Sequence, residues 1–266
     1  MCGMTRKNRR LRSDIAWSSA DAITVKGFDL PNALMGKVDL GDMAFLELMD
    51  RLPTEAESIL FNAMLVSLVE HGITPSSLAT RLTLAGAPEA VQAAIAAGLL
   101  GLGSVFVGSI EGAARLLQEE VGAAGAGDLQ VVAARVVRDY RASGRILPGL
   151  GHPVHRPVDP RSIRLFELAA QHGLSGRYVE LMALLSEEAA RVFERPLPVN
   201  ATGAIGALAS EMGIPWQAAR ALGVVARAVG LAGHVVEELR NPLAPELWRR
   251  ADEEATAHLR VEAADT

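Results

Sequence analysis

The chain has 266 residues, of which half are hydrophobic and only 4% aromatic, and its formal net charge is −5 at pH 7. This size allows one large or two modest domains with a buried core, while the acidic balance argues against a nucleic-acid binder, whose surface would be basic. A single cysteine, Cys2, excludes an internal disulfide and fits a reducing compartment. We therefore expect a soluble, mostly helical, cytoplasmic protein.

The N-terminal residues predict a tail and one β-hairpin. A basic run at 6–12 is followed by polar residues, so we interpret it as a solvated tail and not as a signal peptide. Within residues 17–30, the β-branched run 23–25 favours a strand, and Lys26 with Gly27 favours a turn. No apolar run looks long and uninterrupted enough to span a membrane.

Helices dominate the prediction beyond the hairpin, since alanine and leucine are abundant. Over residues 30–52 we expect short helices that break at Gly36 and Gly41. Thr54 and Glu57 form a capping-box pattern before an apolar run, which predicts the start of a longer helix.

That helix is predicted to end at Glu70, so His71 and Gly72 follow it at the negative end of the helix dipole. Taken alone, His71 is equally consistent with a helix cap that has no chemical role. Gly122–Gly127 has the composition of a flexible connector and hinge. Further helices are predicted at 76–100, 105–121, 128–143, 160–172, 175–192 and 203–212, and after Pro215 and Pro245.

A loop at residues 148–161 concentrates the special residues of the chain. Gly149 and Gly151 allow a close backbone approach to a ligand, and the prolines that follow keep helix from starting. Arginine binds planar carboxylate or phosphate groups at two points, and histidine exchanges protons near neutral pH. The alternative is an ordinary polar connection between helices. The loop holds two imidazoles and two guanidiniums: His152, His155, Arg156 and Arg161.

The fixed positions of this loop, G-x-G-H-x-V-x-R-x-x-D-P-R, resemble the signature loop of the citrate synthase family, including the citryl-CoA lyase module of ATP-citrate lyase. Further segments are similar to the family in order and spacing, so the resemblance covers roughly residues 20–240. They are Glu70-His71-Gly72 before Ser76, Asn200 to Gly206, Gly213 to Pro215, Ala226 to Gly230, and Gly233-His234.

The resemblance implies an all-α fold of the citrate synthase type with a short N-terminal β-hairpin. It implies a large domain built from residues 1–111 and 201–266, a small domain at 112–200, and a cleft that closes on ligand. It also implies a homodimer or homotetramer, for which the alanine-rich helices at 76–121 are a credible interface. We expect no nucleic-acid partner and no membrane partner.

The resemblance also implies roles for single residues. His71 and His152 would bind the keto-acid half of the ligand and move protons on its oxygen. Arg161 can clamp a carboxylate through charge-assisted, bidentate bonds, and Arg227 matches the family arginine that binds a carboxylate of oxaloacetate or citrate. By their positions, His234 is interpreted as structural and His172 as a helix cap.

Coenzyme A is expected as part of a thioester substrate or product. Arg156 would face one of its phosphates. No metal is expected, because no His, Cys, Asp or Glu cluster has metal-ligand spacing, and any ATP-dependent step would belong to another protein, because no phosphate-binding loop motif occurs. The segment that resembles the coenzyme A contact consists of Leu147, Pro148, Gly149, Leu150 and Gly151.

Two positions depart from the family pattern. Phe106 stands where citrate synthases have a histidine that polarises the thioester carbonyl, and the ATP-citrate lyase module resembles this chain there. Thr202 stands at the position of the catalytic aspartate, and a threonine hydroxyl is no base near pH 7 unless a neighbour activates it. The groups left open as its replacement are Glu70, Glu111, Glu211 and His155.

The leading hypothesis is a citryl-CoA lyase-like cleavage of a citryl-CoA-type thioester to acetyl-CoA and oxaloacetate, or of a close analogue. His71, His152 and Thr202 are the predicted catalytic residues. One alternative is a citrate synthase-like condensation of an acyl-CoA with a 2-oxoacid. Another is a catalytically weakened subunit or sensor that binds CoA or citrate, which the departures at Phe106 and Thr202 keep open.

Overall fold

The computed structural model describes residues 11–151 and 158–259. The predicted site residues His152, His155 and Arg156 lie outside the described residues. The chain divides between Ser58 and Ile59 into two compact units. The described residues form eleven α-helices and one small antiparallel sheet, which confirms the predicted all-α fold class. The division into large and small domains at 111 and 200 stays a prediction.

The first unit begins with a three-stranded antiparallel sheet in the order β1-β2-β3. Lys26 and Gly27 join the last two strands, and both have positive φ angles, 48° and 84°, as the tight turn of a two-residue hairpin requires. The predicted hairpin is therefore confirmed, and β1 adds a strand that the sequence pattern did not indicate. The strands are β1 Ala16–Ser18, β2 Ile23–Val25 and β3 Phe28–Asp29.

Two short helical segments follow the sheet: a π-helical turn, Leu30–Leu34, and α1, Leu40–Met49. Gly36 lies in the turn between them with a φ of 71°, as predicted. The break predicted at Gly41 is wrong, because Gly41 is a buried residue inside the first turn of α1. A single glycine is tolerated inside a helix, so it does not by itself mark a helix end.

Helix α2, Glu55–Val69, begins at the predicted capping box. The Thr54 amide donates to Glu57 Oε2 over 2.8 Å, and the Glu57 amide donates to Thr54 Oγ1 over 3.3 Å. The Arg51 guanidinium also binds this carboxylate and is the main reason that the pKa of Glu57 falls to about 2. The capping box and the Arg51–Glu57 ion pair thus stabilise the same helix start.

The next three helices are α3 Pro75–Gly86, α4 Val91–Leu100 and α5 Gly108–Ala124. The prediction of one continuous helix over 76–100 is wrong, because Pro88 falls in its middle and cannot continue a helix. The glycine-rich connector is shorter than predicted, since α5 continues to Ala124.

The remaining predicted helices are confirmed to within two residues. Helix α9 is the centre of the second unit, because nine of its eleven residues are buried and it packs against α5, α7 and α8. At Gly206 an added Cβ would lie only 2.8 Å from the Ala113 Cβ, so small residues let α5 and α9 approach closely. These helices are α6 Leu129–Ala142, α7 Pro160–Gln171, α8 Arg177–Phe193, α9 Ala201–Glu211, α10 Trp216–Arg240 and α11 Ala244–Ala255.

Helix α10 is the one described helix that is long and apolar enough to cross a membrane by length and composition. The expectation that no segment meets this criterion is therefore wrong. Its buried residues pack against α3, α4, α5 and α9, which is typical of a core helix.

Candidate active site

A cavity of about 780 Å³ lies in the second unit where several helices begin. Its lining includes residues from the first turns of four helices, α3, α5, α7 and α9, and from the loop at 147–151. The N-terminus of a helix carries partial positive charge and unpaired N–H groups. The backbone alone therefore gives this cavity a preference for anions.

Three of the four residues predicted to bind the acid part of the ligand line this cavity: His71, Arg161 and Arg227. Among the described residues of its lining, none is an aspartate or a glutamate. In the described part of the chain, no group of three or more His, Cys, Asp and Glu side chains is placed to hold a metal ion. Two guanidiniums and an imidazole in a lining without a described carboxylate suit a ligand that carries carboxylate or phosphate groups.

Arg161 is held by the fully buried carboxylate of Asp159. Its Nε and Nη2 donate to the two Asp159 oxygens over 3.1 and 2.9 Å, and the Ala201 amide donates to the same carboxylate over 3.0 Å. Burial by itself raises the pKa of Asp159, but these hydrogen bonds outweigh it and the pKa is lowered. Asp159 therefore stays ionised, orients Arg161 and joins the first turns of α7 and α9.

Arg227 reaches the cavity from α10 and is largely buried, with 13% of its side chain exposed. Burial lowers the pKa of Arg227, the nearby Glu70 raises it, and the positive charge of Arg161 lowers it again. Glu70 Oε1 lies 3.4 Å from Arg227 Nη1. Since the two arginines repel each other, a carboxylate bound between them would stabilise both charges.

The glycine segment at 147–151 packs against the start of α9. Gly149 has a φ of 83°, and a Cβ there would lie 2.5 Å from the Cα of Gly203, so only glycine fits. The Asn200 amide donates to the Gly149 carbonyl over 3.0 Å, and Asn200 Nδ2 donates to the Gly151 carbonyl over 2.6 Å. This segment is thereby fixed with Leu147 to Gly151 on the cavity surface.

Thr202 also lines the cavity, but its hydroxyl proton is committed. Thr202 Oγ1 donates to Asn200 Oδ1 over 2.7 Å. Asn200 is the N-cap of α9, and its Oδ1 also accepts hydrogen bonds from the backbone amides of Thr202 and Gly203. The Thr202 oxygen can therefore accept a hydrogen bond from a ligand or a water, while it has no proton free to donate.

None of the described carboxylates proposed to replace the family aspartate lines the cavity. Glu111 pairs with Arg220 over 2.6 Å. Glu211 accepts three backbone amides at the start of α8, which makes it a helix cap. Glu70 accepts a hydrogen bond from the His71 amide. Burial raises the pKa of Glu70, but its hydrogen bonds and the nearby positive charges outweigh burial, so the pKa is lowered. It is therefore a poor proton donor.

The other residues interpreted from the sequence lie in the cavity lining, at a helix end or in the buried core. Phe106 lines the cavity and is 46% exposed. His172 is the C-cap of α7, as predicted. His234 is buried and binds Arg81. The roles of Asn200 and Asp159 were missed as single residues, although each occupies an N-cap position that Asn and Asp favour.

The family model for the citrate synthase C-terminal domain matches residues 41–250. The chain belongs to this family. The citryl-CoA lyase from Hydrogenobacter thermophilus is similar, with a TM-score of 0.80, 32% sequence identity and 88% of each chain covered.

Two longer proteins are also similar to this member of the family. The probable ATP-citrate synthase of Dictyostelium discoideum is 26% identical over 255 residues, which are 90% of this chain and 40% of that protein. The ATP citrate lyase from Methanothrix soehngenii, in complex with citrate and coenzyme A, shares the fold with a TM-score of 0.72, 20% identity and coverage of 89% and 40%. The chain thus spans about 40% of the length of the curated relative.

Proposed function

We propose that this protein cleaves a citryl-CoA-type thioester to acetyl-CoA and oxaloacetate, or cleaves a close analogue. The observation that carries the proposal is a cavity with two arginines and a histidine, reached by four helix N-termini, and without a carboxylate among its described lining residues. A citryl group bound to CoA keeps two free carboxylates, so its charge complements that of the cavity.

Binding of the acid half follows from the arginine pair. Arg161 and Arg227 would bind one carboxylate of the ligand between them, and its negative charge would remove the repulsion between the two guanidiniums. Asp159 already holds Arg161 in place, so little side-chain freedom is lost when the ligand binds.

Cleavage requires two proton transfers. His71 would take the proton of the tertiary hydroxyl, whose oxygen becomes the keto oxygen of oxaloacetate as the carbon–carbon bond breaks. The electron pair of that bond passes to the thioester enolate, which is then protonated at carbon to give acetyl-CoA. We propose that His152 acts with His71 on the same oxygen, and that the enolate carbon takes its proton from a water that donates a hydrogen bond to the Thr202 oxygen. The proton held by His71 then restores that water.

Coenzyme A would lie along Leu147–Gly151. Because Gly149 has a positive φ and no side chain, this segment packs directly on Gly203 at the start of α9 and is held at the cavity surface. Arg156 would bind a phosphate, as the family resemblance suggests. We also propose a homodimer or homotetramer in the cytoplasm, on the same resemblance and on the cysteine content.

A non-catalytic subunit or sensor that binds CoA or citrate is the second candidate. One specific observation favours it: the described cavity lining contains no carboxylate base, and the Thr202 proton is committed to Asn200. The same observation makes condensation the least supported reaction, since that direction must remove a proton from the acetyl methyl group.

Incubation with citryl-CoA and 2-methylcitryl-CoA, with oxaloacetate as the measured product, tests the proposal. We expect turnover by the natural protein and a loss of about 100-fold in Arg161→Ala, because a charge-assisted pair contributes about 1.5–3 kcal/mol. Arg164→Ala on the same helix is the matched control, since Arg164 is 59% exposed. Tight CoA binding without turnover of any thioester would instead support the sensor.

A further inference from the structure

A buried polar cluster lies behind the cavity. Its centre is Arg81 on α3, whose side chain is 1% exposed. The guanidinium donates to Glu238 Oε2 over 2.7 Å and pairs with Glu237. Its Nε and Nη2 lie 3.0 and 2.8 Å from Nδ1 of His234. A buried cation with this many partners holds its neighbours in a fixed arrangement.

These contacts decide which nitrogen of His234 carries the proton. An arginine has only donors, so Nδ1 of His234 must act as the acceptor. In the neutral ring, the proton then sits on Nε2. Protonation of Nδ1 would set a third N–H group against the two of Arg81. Arg81 therefore selects the Nε2–H tautomer.

The Nε2 atom of His234 is buried, and it points to the end of α2. It lies 3.1 Å from Oε2 of Glu70, although the alignment falls short of a regular hydrogen bond. Gly230, one turn before His234 on α10, makes this approach possible, because a Cβ there would overlap the carbonyl oxygen of Val69. In the described part of the chain, the Glu70 carboxylate is the acidic group that this N–H faces.

The other oxygen of Glu70 connects the cluster to the cavity. Oε1 accepts the amides of His71 and Gly72 over 2.8 and 2.9 Å and lies 3.4 Å from Nη1 of Arg227. One carboxylate thus contacts two of the three ligand-facing residues, His71 through its backbone and Arg227 through its charge. Arg227, Gly230 and His234 recur at helical spacing on one face of α10.

We propose that Arg81, His234 and Glu70 form a positioning relay for the acid-binding part of the site, a role that rests on the proposed function. Arg81 fixes the tautomer of His234, His234 fixes the carboxylate of Glu70, and Glu70 sets the position of His71 and Arg227. None of the three touches the ligand.

Nitrogen-15 NMR of histidine-labelled protein, together with the backbone amide spectrum, tests the relay without any ligand. At neutral pH we expect His234 with a bare Nδ1 and a protonated Nε2. We also expect the amide signals of His71 and Gly72 to shift in His234→Leu and to return in His234→Gln, whose amide can still donate to Glu70. A protonated Nδ1 in the natural protein, or unmoved signals in a folded His234→Leu, would overturn the relay.

Calorimetric titration with citrate and with CoA then separates positioning from general destabilisation. We expect His234→Leu to weaken citrate binding by about tenfold, with CoA binding changed by less than about twofold and with citrate binding restored in His234→Gln. His172→Leu is the control, because that histidine caps a different helix. Equal losses for citrate and CoA would contradict the relay. If the natural protein binds no citrate, the proposed function fails, while the NMR result still decides the relay.

Discussion

The two walls of the cavity are held in different ways. The cationic wall consists of His71, Arg161 and Arg227, and the apolar wall consists of Leu102, Val105, Phe106, Val107 and Ile146. On the cationic wall each residue contacts a carboxylate, Glu70 or Asp159, which itself accepts backbone amides. On the apolar wall, Val105 is 82% exposed and Ile146 is 89% exposed.

This difference indicates which part of the site exists before a ligand arrives. Charged groups that are already oriented lose little freedom on binding, so the cationic wall is pre-organised for an acid. Exposed apolar side chains gain stability only when something covers them. We therefore expect the cationic wall to determine the affinity for citrate and the apolar wall to respond to the thioester part of a ligand.

Gly149→Ala should have the largest effect, because it breaks the contact on which the glycine segment depends. The new Cβ would lie 2.5 Å from Gly203 at a φ of +83°, so we expect a loss of about 3 kcal/mol or more in the free energy of unfolding. Urea unfolding measures it. Gly144→Ala is the matched control: its φ is +65° with nothing within 4 Å, so only about 1 kcal/mol of backbone strain is expected. Equal losses at both positions would show that the close contact is unimportant.

Arg227→Leu tests the cationic wall through its ligand. Removing one charge-assisted, partly buried carboxylate contact should weaken citrate binding by about 100-fold, or about 2.7 kcal/mol. Arg240→Leu is the matched control, because Arg240 lies at an exposed position on the same helix. The citrate affinity of this variant should equal that of the natural protein in the same titration. An unchanged affinity in Arg227→Leu would remove this residue from the acid-binding wall.

Asp159→Asn tests the support behind Arg161. The pKa of Asp159 is lower in the folded protein than in the unfolded chain, so the ionised carboxylate stabilises the fold above about pH 3.9, and this contribution disappears as the pH falls through the folded pKa. We expect the variant to be less stable by about 2 kcal/mol at pH 7.

Urea unfolding between pH 7 and pH 2 measures this dependence. The difference between the natural protein and Asp159→Asn should shrink as the pH falls below about 4. A difference that stays constant over this range would mean that the amide and the carboxylate differ only in packing.

Phe106→Ala should have the smallest effect, because its side chain is nearly half exposed on the apolar wall. We expect the free energy of unfolding to change by less than about 0.5 kcal/mol and the affinity for citrate to stay the same. Affinity for a CoA thioester should fall by a few-fold, since the ring no longer covers apolar surface. A large loss of citrate affinity would contradict the assignment of separate tasks to the two walls.

The features that could be predicted from sequence are those with a local signal. Thr54 with Glu57 and Lys26 with Gly27 identify a helix start and a turn because the interacting atoms are neighbours in the chain. The break at Pro88 is equally local. The alanine-rich pattern continues on both sides of the proline, and the prediction of one continuous helix followed that pattern. The site segments were predicted from their resemblance to the citrate synthase family, and three of the four residues predicted to bind the acid share one cavity.

The support behind the site could not be predicted in this way. Arg81 and His234 are 153 positions apart, and neither belongs to a pattern that indicates the other. A buried arginine in a helix reads as a surface residue until packing is known. Gly230 is similar. A side chain there would overlap the end of α2, and the sequence does not indicate that α2 ends next to α10.

The most direct test of the central claim is a crystal structure of the protein with citrate and coenzyme A bound. We predict one citrate carboxylate bound by both Arg161 and Arg227, with the citrate hydroxyl facing His71 and the coenzyme along Leu147–Gly151. Citrate bound away from both arginines, or no citrate in this cavity at a saturating concentration, would contradict the account.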